Sequence, residues 1–296
     1  MVEIFGIPSQ ALFGQLLLGL INGSFYALLS LGLAVIFGML NIINFAHGAQ
    51  YMMGAFAAYF LLTYAGLNYW VALVVVPLII GAFGVVIERA FLQWIYRLDH
   101  LYGLLLTFGL ALILEGIFRN YFGSSGLPYR APDLLQGGKN LGFMFLPNYR
   151  AWVVVLSLVV CIATWFVIER TKLGAYLRAA TENPALVRAF GINVPRMITL
   201  TYGFGVALAA LAGVMAAPIY NVSPQMGSHL IIVVFAVVVI GGMGSIMGAI
   251  VTGFGLGLIE GLTKVFFPEA SNTVIFIIMA IVLLIRPAGL FGRERA

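Results

Sequence analysis

Charge is what this sequence has least of. Only 8% of its 296 residues are Asp, Glu, Lys or Arg, against 62% hydrophobic. Soluble domains carry roughly 25% charged residues, so a water-soluble globule is excluded and an integral membrane protein is left. No charged side chain occurs between Glu3 and Glu88, or between Arg196 and Glu260. At about 20 residues per crossing, each gap holds more than one spanning helix. Cysteine is nearly absent too. Cys161 stands alone in an apolar run, which excludes an intrachain disulfide and a cysteine metal cluster. The start, MVEIFGIPSQ, has no basic stretch, so no cleavable signal peptide is expected. The only Gly-Lys pair, Gly138-Lys139, is followed by Asn140 and is no Walker A phosphate loop. His100 and His229 are remote from His47, which no cysteine accompanies, and His47 and His100 lack a Ser or Cys partner at a recognisable spacing. Neither a metal site nor a hydrolytic triad follows, and no cofactor is implied. The net charge of +5 reads as loop charge that sets orientation rather than a nucleic-acid footprint.

What is present is apolar sequence in blocks. Residues 11–38, 46–64 and 70–87 form three runs, closed by a polar connection at Glu88, Arg89, Arg97 and Asp99. Residues 101–122 form a fourth, followed by a Gly-, Ser- and Pro-containing loop to about 149, and residues 151–168 form a fifth. The most charged part of the chain is 169–196. Residues 197–218, 229–265 and 272–285 complete the set. Placing 169–196, Arg89, Arg97, Arg286, Arg293 and Arg295 in the cytoplasm puts ten of the fifteen Lys and Arg inside. The loop with Arg130, Lys139 and Arg150 is then outside. A single helix over 229–265 would measure about 55 Å against a hydrocarbon core of roughly 30 Å. Two shorter passes meeting near Gly241 return the C-terminal end to the cytoplasm. These readings predict an all-α polytopic membrane protein of eight or nine segments, with broken or re-entrant helices and one membrane domain over 1–296.

Two stretches carry polar residues where lipid-facing helices need none. Residues 16–54 hold Asn22, Ser24, Asn41, Asn44, His47 and Gln50 without a charge, with glycines such as Gly48 between. Such groups are unfavourable in hydrocarbon unless they find partners or line a wet path. Gly241, Gly242, Gly244 and Ser245 interrupt the later run. Two roles stay open for Asn41, Asn44 and His47: lining a path, or holding a broken helix. The glycines suit close helix packing or an unwound turn. Glycine-rich, polar-dotted backbone at 37–56 and again at 239–254 suggests an internal repeat of the kind found in transporters. Glu115 and Arg119, and Glu260 and Lys264, stand four apart and are expected to pair along a helix.

The segment 173–192, LGAYLRAATENPALVRAFGI, reads as a cytoplasmic helical element. Asn183 suits a helix cap with Pro184 at the first position and Gly191 past the end. Leu186, Val187 and Phe190 fall on one face, which needs something to cover it: a lipid surface, or a groove on a partner.

Here the sequence resembles a known family. Arg178-Ala179, then Asn183, Ala185, Ala189 and Gly191-Ile192, resemble the coupling segment of ABC importer permeases. INFAHG at 43–48, NGSFYALLSLGL at 22–33 and GGMGSIMG at 241–248 resemble branched-chain amino acid permeases of the shorter, LivH type. The resemblance implies a permease in the bacterial inner membrane, with its C-terminus cytoplasmic and no catalysis of its own. It further implies a second permease subunit, two cytoplasmic ATPases that hydrolyse ATP, and an extracytoplasmic binding protein that delivers leucine, isoleucine or valine. The path residues implied are Asn22, Asn41, Asn44, His47, Gly48, Gly241, Gly242, Gly244 and Ser245. The coupling residues implied are Arg178, Ala179, Glu182, Asn183, Leu186, Val187, Phe190 and Gly191. Urea and short-chain amide permeases share much of the pattern. An ion-coupled secondary transporter using Glu115 or Glu260, or a passive channel, fits the broken helices but needs no ATPase dock.

Overall fold

In the computed structural model, the described residues are 3–4, 7–40, 44–96 and 98–292; Asn41 falls outside them. The helices in chain order are α1 (Ser9–Leu40), α2 (Ala46–Thr63), α3 (Tyr69–Ile87), α4 (His100–Phe122), α5 (Asn148–Arg170), α6 (Lys172–Glu182), α7 (Pro184–Ala189), α8 (Val194–Ala216), α9 (Met226–Gly241), α10 (Ile246–Phe266) and α11 (Val274–Ile285). Two small antiparallel strand pairs accompany them: β1 (Glu3–Ile4) with β2 (Ile7–Pro8), and β3 (Gly138–Asn140) with β4 (Phe145–Pro147). Among the described residues six helices are long and apolar enough to cross a membrane, and Met226–Gly241 and Val274–Ile285 are shorter apolar helices.

Local chemistry sets the boundaries. Asn68 caps α3 by accepting from the Val71 N–H, and Asp99 caps α4 by accepting from the Leu101 N–H. Gly123, with φ of 71°, ends α4 in a conformation that disfavours a β-carbon. α3 departs from the sequence expectation, because its helix does not stop at Glu88. It continues through a π-helical turn, Glu88–Leu92, into Gln93–Ile95. The wider turn swings Glu88 inward, where it is buried and accepts hydrogen bonds from Tyr96 Oη at 2.8 Å, Thr199 Oγ1 at 2.7 Å and Gln93 Nε2 at 3.2 Å. Three donors make helical continuation through a carboxylate tolerable.

The expected break in 229–265 is present. α9 stops at Gly241, Gly242 and Gly244 take φ of 99° and 84°, and Ser245 caps α10 through the Gly248 N–H. The backbone N–H groups of Leu290 and Phe291 donate to the Ile240 and Gly241 carbonyls at 2.8 and 3.1 Å, satisfying the end of α9. At the other break α1 ends at Leu40 and α2 starts at Ala46, with the Phe45 N–H donating to Thr107 Oγ1 at 3.2 Å.

Helices touch backbone to backbone through glycine. α1 and α10 run antiparallel: Gly19 meets Gly257 and Gly261, Gly23 meets Gly253 and Phe254, and Gly38 meets Gly244. Ser30 Oγ lies 3.2 Å from the Ala249 carbonyl across the same seam. A β-carbon at Gly257 would overlap the Gly19 carbonyl oxygen and the Gly23 backbone. α8 makes similar contacts with three partners: Gly205 with Gly32 of α1, Gly213 with Tyr51 of α2, and Gly203 with Gly81 of α3. α1 and α8 are thereby the most enclosed long helices, and α4 and α5 lie largely exposed.

The molecule has two distinct ends. At the loop end, Gln10 bonds the Gly142 carbonyl, Phe13 packs on Phe143, and Trp70 packs edge-on against Trp152. Tyr149 there donates to the Met215 carbonyl at 2.9 Å. At the linker end, Gly38, Ile168, Glu169, Arg178, Gly244 and Ile246 line one small cleft, beside the segment 286–292. α6, α7 and that segment therefore share an end.

Two glycines of α10 test the seam. Gly255 has open space around its α-carbon. Gly257→Ala is expected to lower the midpoint of thermal unfolding in detergent, since overpacking costs about 1–3 kcal/mol. Gly255→Ala is expected to leave it unchanged or raise it slightly. Equal midpoints would show that the seam is not closely packed.

Candidate functional site

The segment after α5 is built as two short helices, α6 and α7, separated by the non-helical Asn183. Gly174 lies so close to the Ile168 carbonyl that no side chain fits. Arg178 Nη1 bonds that same carbonyl at 3.0 Å and Glu169 Oε2 at 3.2 Å, fixing α6 against the end of α5. Asn183 Oδ1 accepts from the Leu186 N–H at 3.0 Å, with Pro184 opening α7. Gly191 has φ of 81°, and its N–H and that of Ile192 bond the Arg188 and Val187 carbonyls, a Schellman closure. One expectation is corrected here. Leu186, Val187 and Phe190 do not share a face. Val187 turns inward onto Ala180 and Val194, with Ile192 packed beside it, because the Schellman contact needs an apolar residue at that position. Leu186 and Phe190 point out, 54% and 78% exposed. Ala179 and Glu182 are also exposed, on α6.

A cavity of about 280 Å³ opens between α1, α2 and α9. Its walls are Asn22, Phe25 and Tyr26 of α1, Tyr51 of α2, Tyr220, Asn221 and Ser223 of the α8–α9 connection, and Met226, His229 and Leu230 of α9. That volume has room for several waters at about 30 Å³ each, or for one small solute. The lining is aromatic and apolar with uncharged polar groups between, and among the described residues no Asp, Glu, Lys or Arg lines it. Tyr220 donates to Asn22 Oδ1 at 3.1 Å, and its ring packs edge-on against Phe25.

The residues singled out in sequence fall in three places. Asn22 lines the cavity. Asn44, His47 and Gly48 lie buried at the start of α2. His47 Nε2 is 3.0 Å from the Leu29 carbonyl, Asn44 Nδ2 donates to Gln50 Oε1 at 3.2 Å, and Gln50 Nε2 reaches the Tyr202 hydroxyl at 3.3 Å. Gly48 packs directly on Gly227 of α9. Gly241, Gly242, Gly244 and Ser245 form the α9–α10 turn at the linker end. Among the described residues no group of His, Cys, Asp or Glu is arranged to hold a metal ion.

Sequence reasoning passed over Tyr26, Tyr51, Tyr220, Asn221, Ser223 and His229. They stand on three separate stretches with no motif linking them. A polar stretch between two apolar runs, 220–225, was the one available signal. Glu115 pairs with Arg119 at 3.1 Å and Glu260 with Lys264 at 2.5 Å, as the spacing predicts. Glu260 also accepts a hydrogen bond from the Tyr26 hydroxyl at 2.6 Å, which no spacing reveals.

Comparison with known proteins places the chain in a family. The family described as branched-chain amino acid transport system / permease component matches residues 15–283. The high-affinity branched-chain amino acid transport system permease protein LivH of Escherichia coli (strain K12) is 30% identical, the match covering 94% of this chain and 95% of the relative. BraD of Pseudomonas aeruginosa, described in the same terms, is 31% identical over 94% of this chain and 95% of its own. LivM of Escherichia coli (strain K12), also a permease protein of that system, is 28% identical over 91% of this chain and 68% of its own. These relatives are transport components rather than enzymes, and with six apolar helices they mark a multi-pass membrane protein. On the extent of that match, the chain belongs to the branched-chain amino acid transport system permease component family.

Proposed function

We propose that this chain is one permease subunit of a binding-protein-dependent ABC importer of the bacterial inner membrane, carrying leucine, isoleucine or valine. The observation that carries the reading is its 30–31% identity to LivH and BraD along nearly the whole of both chains. A second permease completes the pore; similarity to both LivH and LivM of one organism supports a related but distinct partner. Two cytoplasmic ATPases hydrolyse ATP, and an extracytoplasmic protein delivers the amino acid. Residues 1–296 act as one permease domain. Its nine segments are the six long helices plus α2, α9 and α11. Uptake of labelled leucine by vesicles holding all subunits tests the reading; uptake of urea or short amides instead would reassign it.

In this reading the cavity is part of the path, with Asn22 bordering it. Asn44, His47 and Gly48 hold the start of α2 in place behind the wall, a role their burial supports. Gly241, Gly242, Gly244 and Ser245 give the turn through which the linker end communicates with α9 and α10. The linker end is cytoplasmic and the loop end faces out. The basic residues Arg170, Lys172, Arg178, Arg188 and Arg196 favour that orientation. Cysteines placed singly at Glu182 and Leu290 are expected to resist a membrane-impermeant maleimide in intact cells, and one at Lys139 to react. Labelling at Glu182 without permeabilisation would reverse the orientation.

Leu186 and Phe190 present exposed apolar area in the most charged stretch of the chain, at the end where an ATPase would dock. Arg178, Ala179, Glu182, Asn183, Val187 and Gly191 shape and frame that surface. Burying a side chain such as phenylalanine is worth roughly 1.5–3 kcal/mol, and 1.4 kcal/mol is one decade of affinity. Phe190→Ala is expected to weaken co-purification of the ATPases about tenfold or more and to lower substrate-stimulated hydrolysis, with insertion unchanged. Full ATPase binding by the variant would mean that this helix rests on lipid.

A further inference from the structure

An amino acid crosses as a zwitterion, and its ammonium group needs acceptors wherever water is stripped from it. A bare carboxylate in the path would supply one but would hold cargo and cations too well for release. Among the described residues the cavity wall offers no carboxylate, yet one lies directly behind it. Glu260 of α10 is buried, with Lys264 Nζ at 2.5 Å on one oxygen and the Tyr26 hydroxyl at 2.6 Å on the other. Tyr26 is itself a wall residue of the cavity. A phenol hydroxyl has one proton to donate and lone pairs to accept with. The Tyr26 proton is committed to Glu260, so toward a solute its oxygen can only accept. Hydrogen bonds in series polarise one another, and the charge behind strengthens that acceptor. Lys264 balances the carboxylate, so the wall presents a dipole rather than a net charge. Tyr220 repeats the pattern with its proton on Asn22 Oδ1 at 3.1 Å, leaving a second acceptor oxygen beside the Asn22 amide.

We infer that Tyr26, backed by Glu260, accepts the α-ammonium of the cargo inside this cavity, with Tyr220 as the second acceptor. Phe25, Met226 and Leu230 receive the apolar side chain. This rests on the amino-acid reading above, and gives it a residue that separates an ammonium-bearing cargo from urea or a neutral amide.

A diazirine analogue of leucine, photolysed during turnover of the wild-type complex in vesicles, is expected to label peptides containing residues 22–26 and 220–230. Excess leucine should suppress the label. Tyr26→Phe removes the acceptor and keeps the ring; Glu260→Gln keeps a partner for the Tyr26 hydroxyl and removes the charge. Both are expected to slow leucine uptake about tenfold, or about 1.4 kcal/mol, and to reduce labelling in proportion. Two results overturn the inference: label elsewhere in a wild-type complex that does take up leucine, or wild-type uptake by both variants. If Tyr26→Phe fails to assemble, the wild-type label and Glu260→Gln decide. A wild-type complex that takes up no leucine refutes the functional reading, and is distinguished from either of those results.

Discussion

Close approach of helix backbones is the constraint on which the rest of this molecule depends. Inside a bilayer the hydrophobic effect does not draw one apolar helix to another, so association rests on packing and on interhelical hydrogen bonds. Gly19 and Gly23 of α1 against Gly253, Gly257 and Gly261 of α10 allow that approach, and α8 does the same with α1, α2 and α3. With α1 and α10 in backbone contact, the Tyr26 phenol reaches Glu260. Beside this tight seam the side chains of α1, α2 and α9 fail to fill the space between them, and the cavity is what remains.

The helix breaks obey a related rule. Backbone freed from helical bonding within hydrocarbon must be paired with protein or face water. At the α9–α10 turn the pairing comes from Ser245, which caps α10, and from Leu290 and Phe291, which satisfy the end of α9. At the start of α2 it comes in part from Thr107, while Asn44, His47 and Gln50 anchor the new helix to α1 and α8. The polar side chains scattered through the early apolar sequence thus have identifiable partners. Among the described residues of that stretch, His47 Nδ1 and Asn44 Oδ1 are the buried exceptions.

Much of this was legible in the sequence because its causes are local. The glycine cluster at 241–244 announced a break, since two of those positions adopt positive φ. Asn183-Pro184 and Gly191 announced both ends of α7 for the same reason. Features that depend on the third dimension were not legible. Val187 looks like a neighbour of Leu186 on an exposed face, but the Schellman closure turns it inward. Glu88 looks like the end of a span, but a π turn brings Gln93 and Tyr96 of its own stretch and Thr199 of α8 onto it and buries it. The Tyr26–Glu260 bond joins residues 234 apart, and the cavity draws on three segments with no shared motif.

The helices also differ greatly in length. α1 has 32 residues, about 48 Å at the usual helical rise, and α11 has 12, about 18 Å. A bilayer core of roughly 30 Å matches neither. α1 absorbs its excess by projecting into the loop end, where Phe13 packs on Phe143. α11 has no such remedy, and Ile277, Ile281, Leu284 and Ile285 lie exposed on it. In the nine-segment reading proposed above, lipid against that edge would thin or pack imperfectly, at a fraction of a kcal/mol per Å of mismatch. In that reading acyl-chain length enters the energetics of this permease, unless a partner subunit covers α11 and takes the place of lipid.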